Sequence, residues 1–420
     1  MPEYQMTIGI LYNTPLPESE ELAASSRDVL DQVAAVQAAL QAAGHACRPV
    51  AFDRDLSLLT RVLAPCDGVF NLCETVDEDP SLAGHPAAVL ELLQIAFTGS
   101  PAQALMVTTD KHLAQRALHS AGIGTPAFAL YHPAQALDLR GLRFPVIVKP
   151  VWEDASIGIE QESVFDDEQQ LRTQLPRIYE RYGNLLVEEF IAGREFNLSV
   201  LGYPQPRLLP PAEIDFSAFP KKLYPIVGYR AKWDPESIEY HRTPRVFPSD
   251  LTPSLHKKLE VAALACFRLF AMRDYARIDV RVDRQGGIFV IDVNANPCLS
   301  PDAGFAASAR QAGMTYDGLI EKLLSFARLR RIPRNRGAAR AAAPIKPVAS
   351  LPETIGWQEE IFPEDVDAIG RLTAATGFFS VPEIRVAEEL AAEYLAKGEA
   401  SGYLFVTARC AGRLIAYACY

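Results

Sequence analysis

The stretch from Arg277 to Pro297, RIDVRVDRQGGIFVIDVNANP, constrains this chain more than any other. Arg277, Asp279 and Arg281 alternate with Ile278, Val280 and Val282, the period-2 pattern of a strand with one buried face. Arg284-Gln285-Gly286-Gly287 predicts a tight turn, because glycine reaches positive φ without steric cost. Ile288 to Val293 then returns as a second strand. In such a hairpin Asp279, Asp292 and Asn294 converge at neighbouring strand ends, with Arg277 on the face of Asp279. Two carboxylates and a carboxamide are oxygen donors and suit hard Mg²⁺ better than zinc. For any one of these side chains a solvated acidic face is the plainer account. For the whole set followed by Asn-Pro, a metal site is the better one.

At 420 residues the chain exceeds one domain by the usual size relation, and 49 % apolar residues allow sizeable cores. The balance of 41 basic against 52 acidic residues, −11 net, carries no overall nucleic-acid footprint. Seven cysteines without a CxxC pair read as reduced thiols. No secretory leader and no apolar run of membrane-spanning length is evident. The expectation is a cytoplasmic protein without a membrane or nucleic-acid partner.

Along the chain, Met6–Tyr12 suits a buried parallel strand, Val29–Ala43 a helix closed by Gly44, and Asp67–Leu72 a second strand. Ala87–Leu93 predicts a helix and Ile95–Thr98 a short strand, so the first 100 residues read as an α/β layer. Thr109–Ala121 predicts one helix with Lys111 in its first turn. FPVIVK, Phe144–Lys149, predicts a strand, and the small and polar residues of the following loop, Ala155-Ser156-Ile157-Gly158, are able to lay backbone N–H groups on phosphate. Asn184–Ile191 and Glu195–Leu201 predict further strands. Pro204–Ser249 has no sustained period, but its aromatic residues favour order. Leu255–Met272 and Tyr316–Leu329 predict helices. Arg330–Ser350, dominated by Arg, Ala and Pro, reads as a linker. Beyond it lie a strand at Gly356–Ile361, helices at Pro363–Thr376 and Ile384–Ala396, and a hairpin of Tyr403–Arg409 with Arg413–Tyr420.

In this order LELLQIAFTGS, FPVIVKP with ASIG, LVEEFIAGREFNLSVLG, ARIDVRVD, and VNANP followed by ARQAGM resemble the ATP-grasp ligases, and most closely the D-alanine–D-alanine ligase family, over about residues 6–330. The resemblance implies a mixed α/β and α+β chain with an ATP-grasp fold of three subdomains: 1–100 N-terminal, 101–190 central and 191–330 C-terminal. It implies an ATP-dependent carboxylate–amine ligase that forms a peptide-type bond through an acyl phosphate. ATP and Mg²⁺, two ions, are the implied cofactors, amino-acid-type molecules the implied substrates, and a homodimer a possible assembly. By the same resemblance Lys111 and Lys149 hold nucleotide phosphates, and Ser156 and Gly158 form the phosphate lid. Glu188, with the backbone of Glu189 and Ile191, reads adenine, and Glu195 binds the ribose. Asp279, Asp292 and Asn294 hold Mg²⁺, Arg277 steadies the tetrahedral intermediate, and Lys232 lies near the γ-phosphate on a closing loop that also carries Tyr229 and Trp233.

The departures from the family fall on the amino-acid side. The family's Gly-Gly-x-Ser-x-Glu is absent, and whether Glu18, Glu20 or Glu21 replaces its glutamate is open. The first lid serine is Ala155, the loop tyrosine is Trp233, the glycine after Asn-x-x-Pro is Cys298, and a serine for the second substrate's carboxylate is Ala303. The expectation is therefore a ligase with an intact ATP and metal half and altered amino-acid specificity, with Trp233, Tyr229 and Cys298 facing substrate. A true D-alanine–D-alanine ligase, a non-catalytic nucleotide-binding protein and a ligase–acetyltransferase fusion are the alternatives. The last arises because residues 351–420 resemble the first half of a GNAT acetyltransferase, following the linker at 331–350.

Overall fold

The structure is a computed structural model that describes residues 5–15, 23–330, 356–375 and 381–419. The expected linker at 331–350 and the candidates Glu18, Glu20 and Glu21 lie outside the described residues. The chain forms two compact units, Met1–Pro333 and Arg334–Tyr420.

The first unit opens with β1 (Thr7–Tyr12), α1 (Ala23–Ala42), β2 (Ala46–Ala51), α2 (Leu56–Leu63) and β3 (Gly68–Asn71). The strands form a parallel sheet in the order β2-β1-β3. After α3 (His85–Leu92), the strand expected at Ile95–Thr98 reduces to a single parallel bridge, Val69 to Phe97. Gly99 turns away with φ of 90° and Pro101 begins the next helix, so the segment leaves the sheet at once. The helix expected at Thr109–Ala121 is divided as well. α4 (Ala102–Thr109) ends where Asp110 adopts ψ of 96°, and the Asp110 side chain caps α5 (Lys111–Ser120) by accepting from Leu113 N–H at 2.8 Å. Lys111 thereby begins a helix.

β4 (Phe128–Tyr131), β5 (Val146–Pro150), β6 (Val164–Phe165), α6 (Glu168–Tyr182) and β7 (Leu185–Glu189) build an antiparallel sheet in the order β4-β7-β5-β6. α6 buries Leu171 and Leu175 over this sheet. It escaped the sequence reading because its first two turns are largely polar and Pro176 lies inside it.

The third sheet comes from β8 (Arg194–Gly202), β9 (Arg207–Leu208) and β10 (Ala212–Ile214), followed by the short helices α7 (Tyr229–Trp233) and α8 (Ile238–His241), then β11 (Arg245–Val246), α9 (Pro253–Leu269), β12 (Asp274–Val282) and β13 (Ile288–Asn294). Its order is β11-β10-β8-β12-β13, with β9 on β8. Residues 204–249 are thus ordered, as their aromatics suggested, but in pieces too short to show a period. The opening hairpin forms with Asp279 opposite Asp292 and Arg277 opposite Asn294, and a bulge follows Asp279. Its turn is closed by Asp283, which accepts from Gln285 and Gly287 N–H at 2.9 and 2.7 Å.

α10 (Gly304–Gln311) and α11 (Tyr316–Leu329) end the unit. α11 packs on α1 and β3: Leu319, Ile320, Leu323 and Leu324 share a core with Ile8, Ile10, Val36 and Leu40. The C-terminal helix therefore closes the N-terminal layer, which a local reading of the sequence does not reveal. No helix among the described residues is long and apolar enough to cross a membrane.

The second unit holds β14 (Gly356–Gln358), α12 (Asp365–Ala375), α13 (Val381–Lys397), β15 (Phe405–Cys410) and β16 (Arg413–Cys419). The strands pair antiparallel as β14-β15-β16, around a core of Ile361, Ile369, Ala391, Phe405 and Leu414. Strand, two helices and hairpin lie where the sequence put them, with shifted ends. α12 starts at Asp365, two residues after Pro363, because the Asp365 carboxylate accepts from Phe362 N–H at 2.7 Å and folds the preceding residues back as a turn.

Candidate active site

The charged face of the hairpin is a cleft wall and not a solvated surface, since Asp279 and Arg281 are 8 % and 4 % exposed. Arg277 grips Asp279 with Nε and Nη2 at 2.8 and 2.9 Å, and Asn197 of β8 donates to the same carboxylate at 2.8 Å. Asn294 Nδ2 lies 3.4 Å from Asp279 and 3.5 Å from Asp292, so the three expected metal ligands do converge. Rotation of the Asn294 amide presents its oxygen in place of its nitrogen.

Two buried lysines face this wall. Lys111 donates to the Glu153 carbonyl at 2.6 Å and to Asp154 at 3.1 Å. Lys149 donates to the Ile291 carbonyl at 3.2 Å and pairs with Glu188 at 2.5 Å. Burial works against the Asp292 carboxylate, but Lys111, Lys149, Arg277 and Lys232 outweigh it and hold its pKa below the ordinary value. Burial likewise pulls Lys111 down, and Asp154 and Asp292 more than offset it, so its ammonium is held charged. Lys232 differs. Burial and then the like charge of Arg277 lower its pKa despite Asp279 and Asp292.

Among the described residues no three His, Cys, Asp or Glu side chains gather as a metal cluster. The Asp279, Asp292 and Asn294 set reaches three donors only with the carboxamide. An all-oxygen set of this kind, supplemented by phosphate oxygens, fits Mg²⁺.

The lid after β5 is backbone-strained, with φ of 53° at Ala155, 63° at Ser156 and 73° at Gly158. A Cβ on Gly158 would come within 2.7 Å of Pro150 and 3.1 Å of Tyr182, so glycine is required there. The lid is tied to the closing loop by three bonds. Ser156 Oγ donates to the Val227 carbonyl at 2.8 Å, Tyr229 N–H to Ile159 at 2.8 Å, and Trp233 Nε1 to the Ala155 carbonyl at 3.0 Å. Tyr229 and Trp233 lie ring to ring at 6.5 Å. Ala155 has no side-chain group to offer, and the indole N–H, which only donates, uses the lid backbone instead.

At the hinge, Glu188 is fully buried, held by Lys149 and by Gln115 Nε2 at 2.7 Å. Phe144, Glu189, Phe190, Ile191 and Phe289 line a cleft beside it. Glu195 uses Oε2 on Arg281, at 2.6 and 3.1 Å, and keeps Oε1. Arg281 also donates to the Ile191 carbonyl at 2.9 Å and stacks 4.8 Å from the centre of Phe190. Arg281 was visible in the alternation, but its role in bracing the hinge was not, because its partners lie 56 to 90 positions away. Gln115, Asn197 and Asp154 were likewise missed, for the same reason. Cys298 is a thiol kept protonated by burial and by Asp28, to which it donates at 3.0 Å.

The chain is similar to several known proteins. Residues 120–325 match the family model described as "D-ala D-ala ligase C-terminus". The D-alanine–D-alanine ligase of Desulforudis audaxviator is 30 % identical over 328 residues, 77 % of this chain and 99 % of that one. An uncharacterised protein, y4sG, of Sinorhizobium fredii is 32 % identical over 306 residues, 70 % of this chain and 87 % of its own. The structure of the Bacillus anthracis D-alanine–D-alanine ligase complexed with ATP superposes with a TM-score of 0.62 at 21 % identity, over 77 % of this chain and 98 % of that one. That of VanG D-Ala:D-Ser ligase from Enterococcus faecalis does so with 0.60 at 17 %, over 77 % and 100 %. At such identities these two likenesses show the fold.

The sheets and these matches are those of an ATP-grasp ligase, an enzyme that forms carbon–nitrogen bonds with ATP. More narrowly, the chain belongs to the D-alanine–D-alanine ligase family.

Proposed function

We propose that this ligase joins two amino-acid-type substrates other than a pair of D-alanines, through an acyl phosphate made at the Arg277–Asn294 hairpin. The observation that carries the reading is the pairing of Trp233 with the Ala155 carbonyl. The closing loop meets the lid backbone here, and among the described residues no side-chain trio joins the two.

In this reading Lys111 and Lys149 lie against the nucleotide phosphates, and Glu188, the Glu189 backbone and the Ile191 N–H read the adenine. The free Oε1 of Glu195 takes a ribose hydroxyl. Asp279, Asp292 and Asn294 would hold Mg²⁺, as two ions, which supplies positive charge to the transferring phosphoryl oxygens. Lys232 and Arg277 add fixed positive charge beside it, where they act without reorganisation. A substrate carboxylate oxygen attacks the γ-phosphorus and ADP leaves. The amine of the second substrate then attacks the acyl carbon, loses a proton, and inorganic phosphate departs. Ser156, Tyr229 and Trp233 keep the lid shut meanwhile, so that water does not take the amine's place. A homodimer and a GNAT-like second unit with no part in the ligation belong to the same reading. Every residue just assigned lies within the first unit.

An ADP-release screen over paired L- and D-amino acids, with product mass measured, tests the proposal. D-alanine alone should yield little ADP, and another pair should yield more. Efficient D-alanyl-D-alanine formation at low D-alanine concentration would restore the second reading, a D-alanine–D-alanine ligase, which the names of the relatives favour.

A further inference from the structure

Beyond the nucleotide half, one carboxylate in the cleft, Glu74, forms no direct ion pair among the described residues. Glu74 follows β3, and its backbone is pinned on both sides. Its N–H donates to Asn13 Oδ1 at 3.1 Å, and the preceding Cys73 carbonyl accepts from Asn296 Nδ2 at 3.0 Å. Asn296 belongs to the loop just past the carboxylate hairpin.

The Glu74 side chain is set by Gln32, which is 1 % exposed on α1. Gln32 Oε1 accepts from Leu299 N–H at 2.9 Å, which assigns the amide, since an N–H requires an acceptor. Both Nε2 hydrogens then go to carboxylates, one to Asp28 Oδ2 and one to Glu74 Oε1, each at 3.2 Å. The two acids are not equivalent. Asp28 is saturated, with Oδ1 taking Ser300 Oγ at 3.0 Å and Oδ2 taking Cys298 Sγ at 3.0 Å besides Gln32. Asp28 is therefore a clamp between α1 and the loop. Glu74 Oε2 has no partner among the described residues, although Arg277 of β12 stands within electrostatic reach with its guanidinium committed to Asp279.

We propose that Glu74 is a specificity-determining residue of this ligase, its free Oε2 receiving the ammonium group of an amino-acid substrate while Gln32 holds the carboxylate in place. The inference rests on the reading of the substrates as amino-acid-type. A half-buried carboxylate with one oxygen fixed by Gln32 and the other open to the cleft is a ready acceptor for a cation. Its surroundings agree. Burial raises the Glu74 pKa to about 7, Gln32 lowers it, Asp28 of α1 and Asp154 of the lid raise it, and Arg277 lowers it. Cys73, Tyr275 and Cys298 also feel the charge, and burial keeps all three protonated. An arriving ammonium would complete the balance, and it binds the ionised form, so affinity rises with pH through about 7.

The test is equilibrium binding by the full chain saturated with Mg²⁺ and the non-hydrolysable AMP-PNP. The probes are L- and D-alanine, serine, glutamate and lysine, with propionate as an ammonium-free control. At least one amino acid should bind, propionate should not, and affinity should rise through neutral pH. Glu74→Gln should weaken that amino acid roughly ten- to a hundredfold and flatten the pH profile, with AMP-PNP binding unchanged. Gln32→Leu should keep the profile but move its midpoint upward, a shift that merely loosened packing would not give. Equal binding of the amino acid by wild type and Glu74→Gln, with the same pH profile, overturns the role of Glu74 and leaves the ligase reading intact. Failure of every amino acid to bind wild type overturns both. If Glu74→Gln does not fold, the Gln32→Leu midpoint decides alone, and an unmoved midpoint refutes the assignment.

Discussion

Substitution of Trp233 by phenylalanine isolates the bond that joins the closing loop to the lid. The ring and its contact with Tyr229 remain, and only the indole N–H bond to the Ala155 carbonyl at 3.0 Å is lost. Both partners are partly exposed, so water replaces the lost donor and no buried polar group is stranded. A neutral hydrogen bond of this kind is worth about 1 kcal/mol net. If turnover requires the closed lid, that corresponds to a loss of roughly fivefold in kcat. Removing the Ser156 hydroxyl, which reaches the Val227 carbonyl at 2.8 Å, should cost a similar amount. The double variant measures how far the two ties act together. The assay is release of phosphate measured beside ligated product, using the best pair from the amino-acid screen, with a separate titration of AMP-PNP and Mg²⁺. Nucleotide affinity should scarcely change. Turnover should fall, and phosphate should exceed product, because a looser lid admits water to the acyl phosphate. Wild-type turnover with phosphate and product still equal, in the double variant, would refute the claim that these contacts close the site.

Asp292→Ala should abolish ADP formation with the fold retained but the melting temperature lowered, since it removes the carboxylate that offsets Lys111, Lys149, Arg277 and Lys232. Retained turnover would remove Asp292 from the metal set. Lys149→Ala should weaken ATP and also lower stability by about 3–5 kcal/mol, because it strands the fully buried Glu188. Adding Glu188→Gln should recover much of the melting temperature but not the ATP affinity, and calorimetry separates the two. On the alkaline side, kcat/KM should fall as Lys232 loses its proton, at a pH below that of an ordinary lysine because burial and Arg277 lower its pKa. Lys232→Arg should move that limb upward, and an unchanged limb would assign it to another group.

What the sequence by itself determined is what local pattern encodes. Alternation of Arg277, Ile278, Asp279 and Val280 specified a strand with its charged groups on one face, and Gly286-Gly287 specified its return. The three oxygen donors were thereby brought to neighbouring strands, but Asp279 faces Asp292 only because a bulge after Asp279 shifts the pairing by one residue, which the alternation does not encode. Lys149 at a strand end and a loop of small residues at 155–158 were also readable, since each is dictated by its immediate neighbours. Short-range signals failed at Ile95–Thr98 and at Thr109–Lys111. There one turn residue, Gly99 or Asp110, overrode the apolar periodicity around it. Tertiary structure alone decided the rest. Burial and charge at any point depend on groups brought together across long separations. The face that could have been solvated became a cleft because β8 and the hinge cover it, turning Arg281 into a buried brace for Glu195 and Ile191. The distinction between a saturated Asp28 and an open Glu74 rests on Gln32 of α1 and on Cys298 and Ser300 of the loop after β13, two stretches far apart in the chain. A carboxylate's role is set by how many donors reach it, and no local pattern counts them.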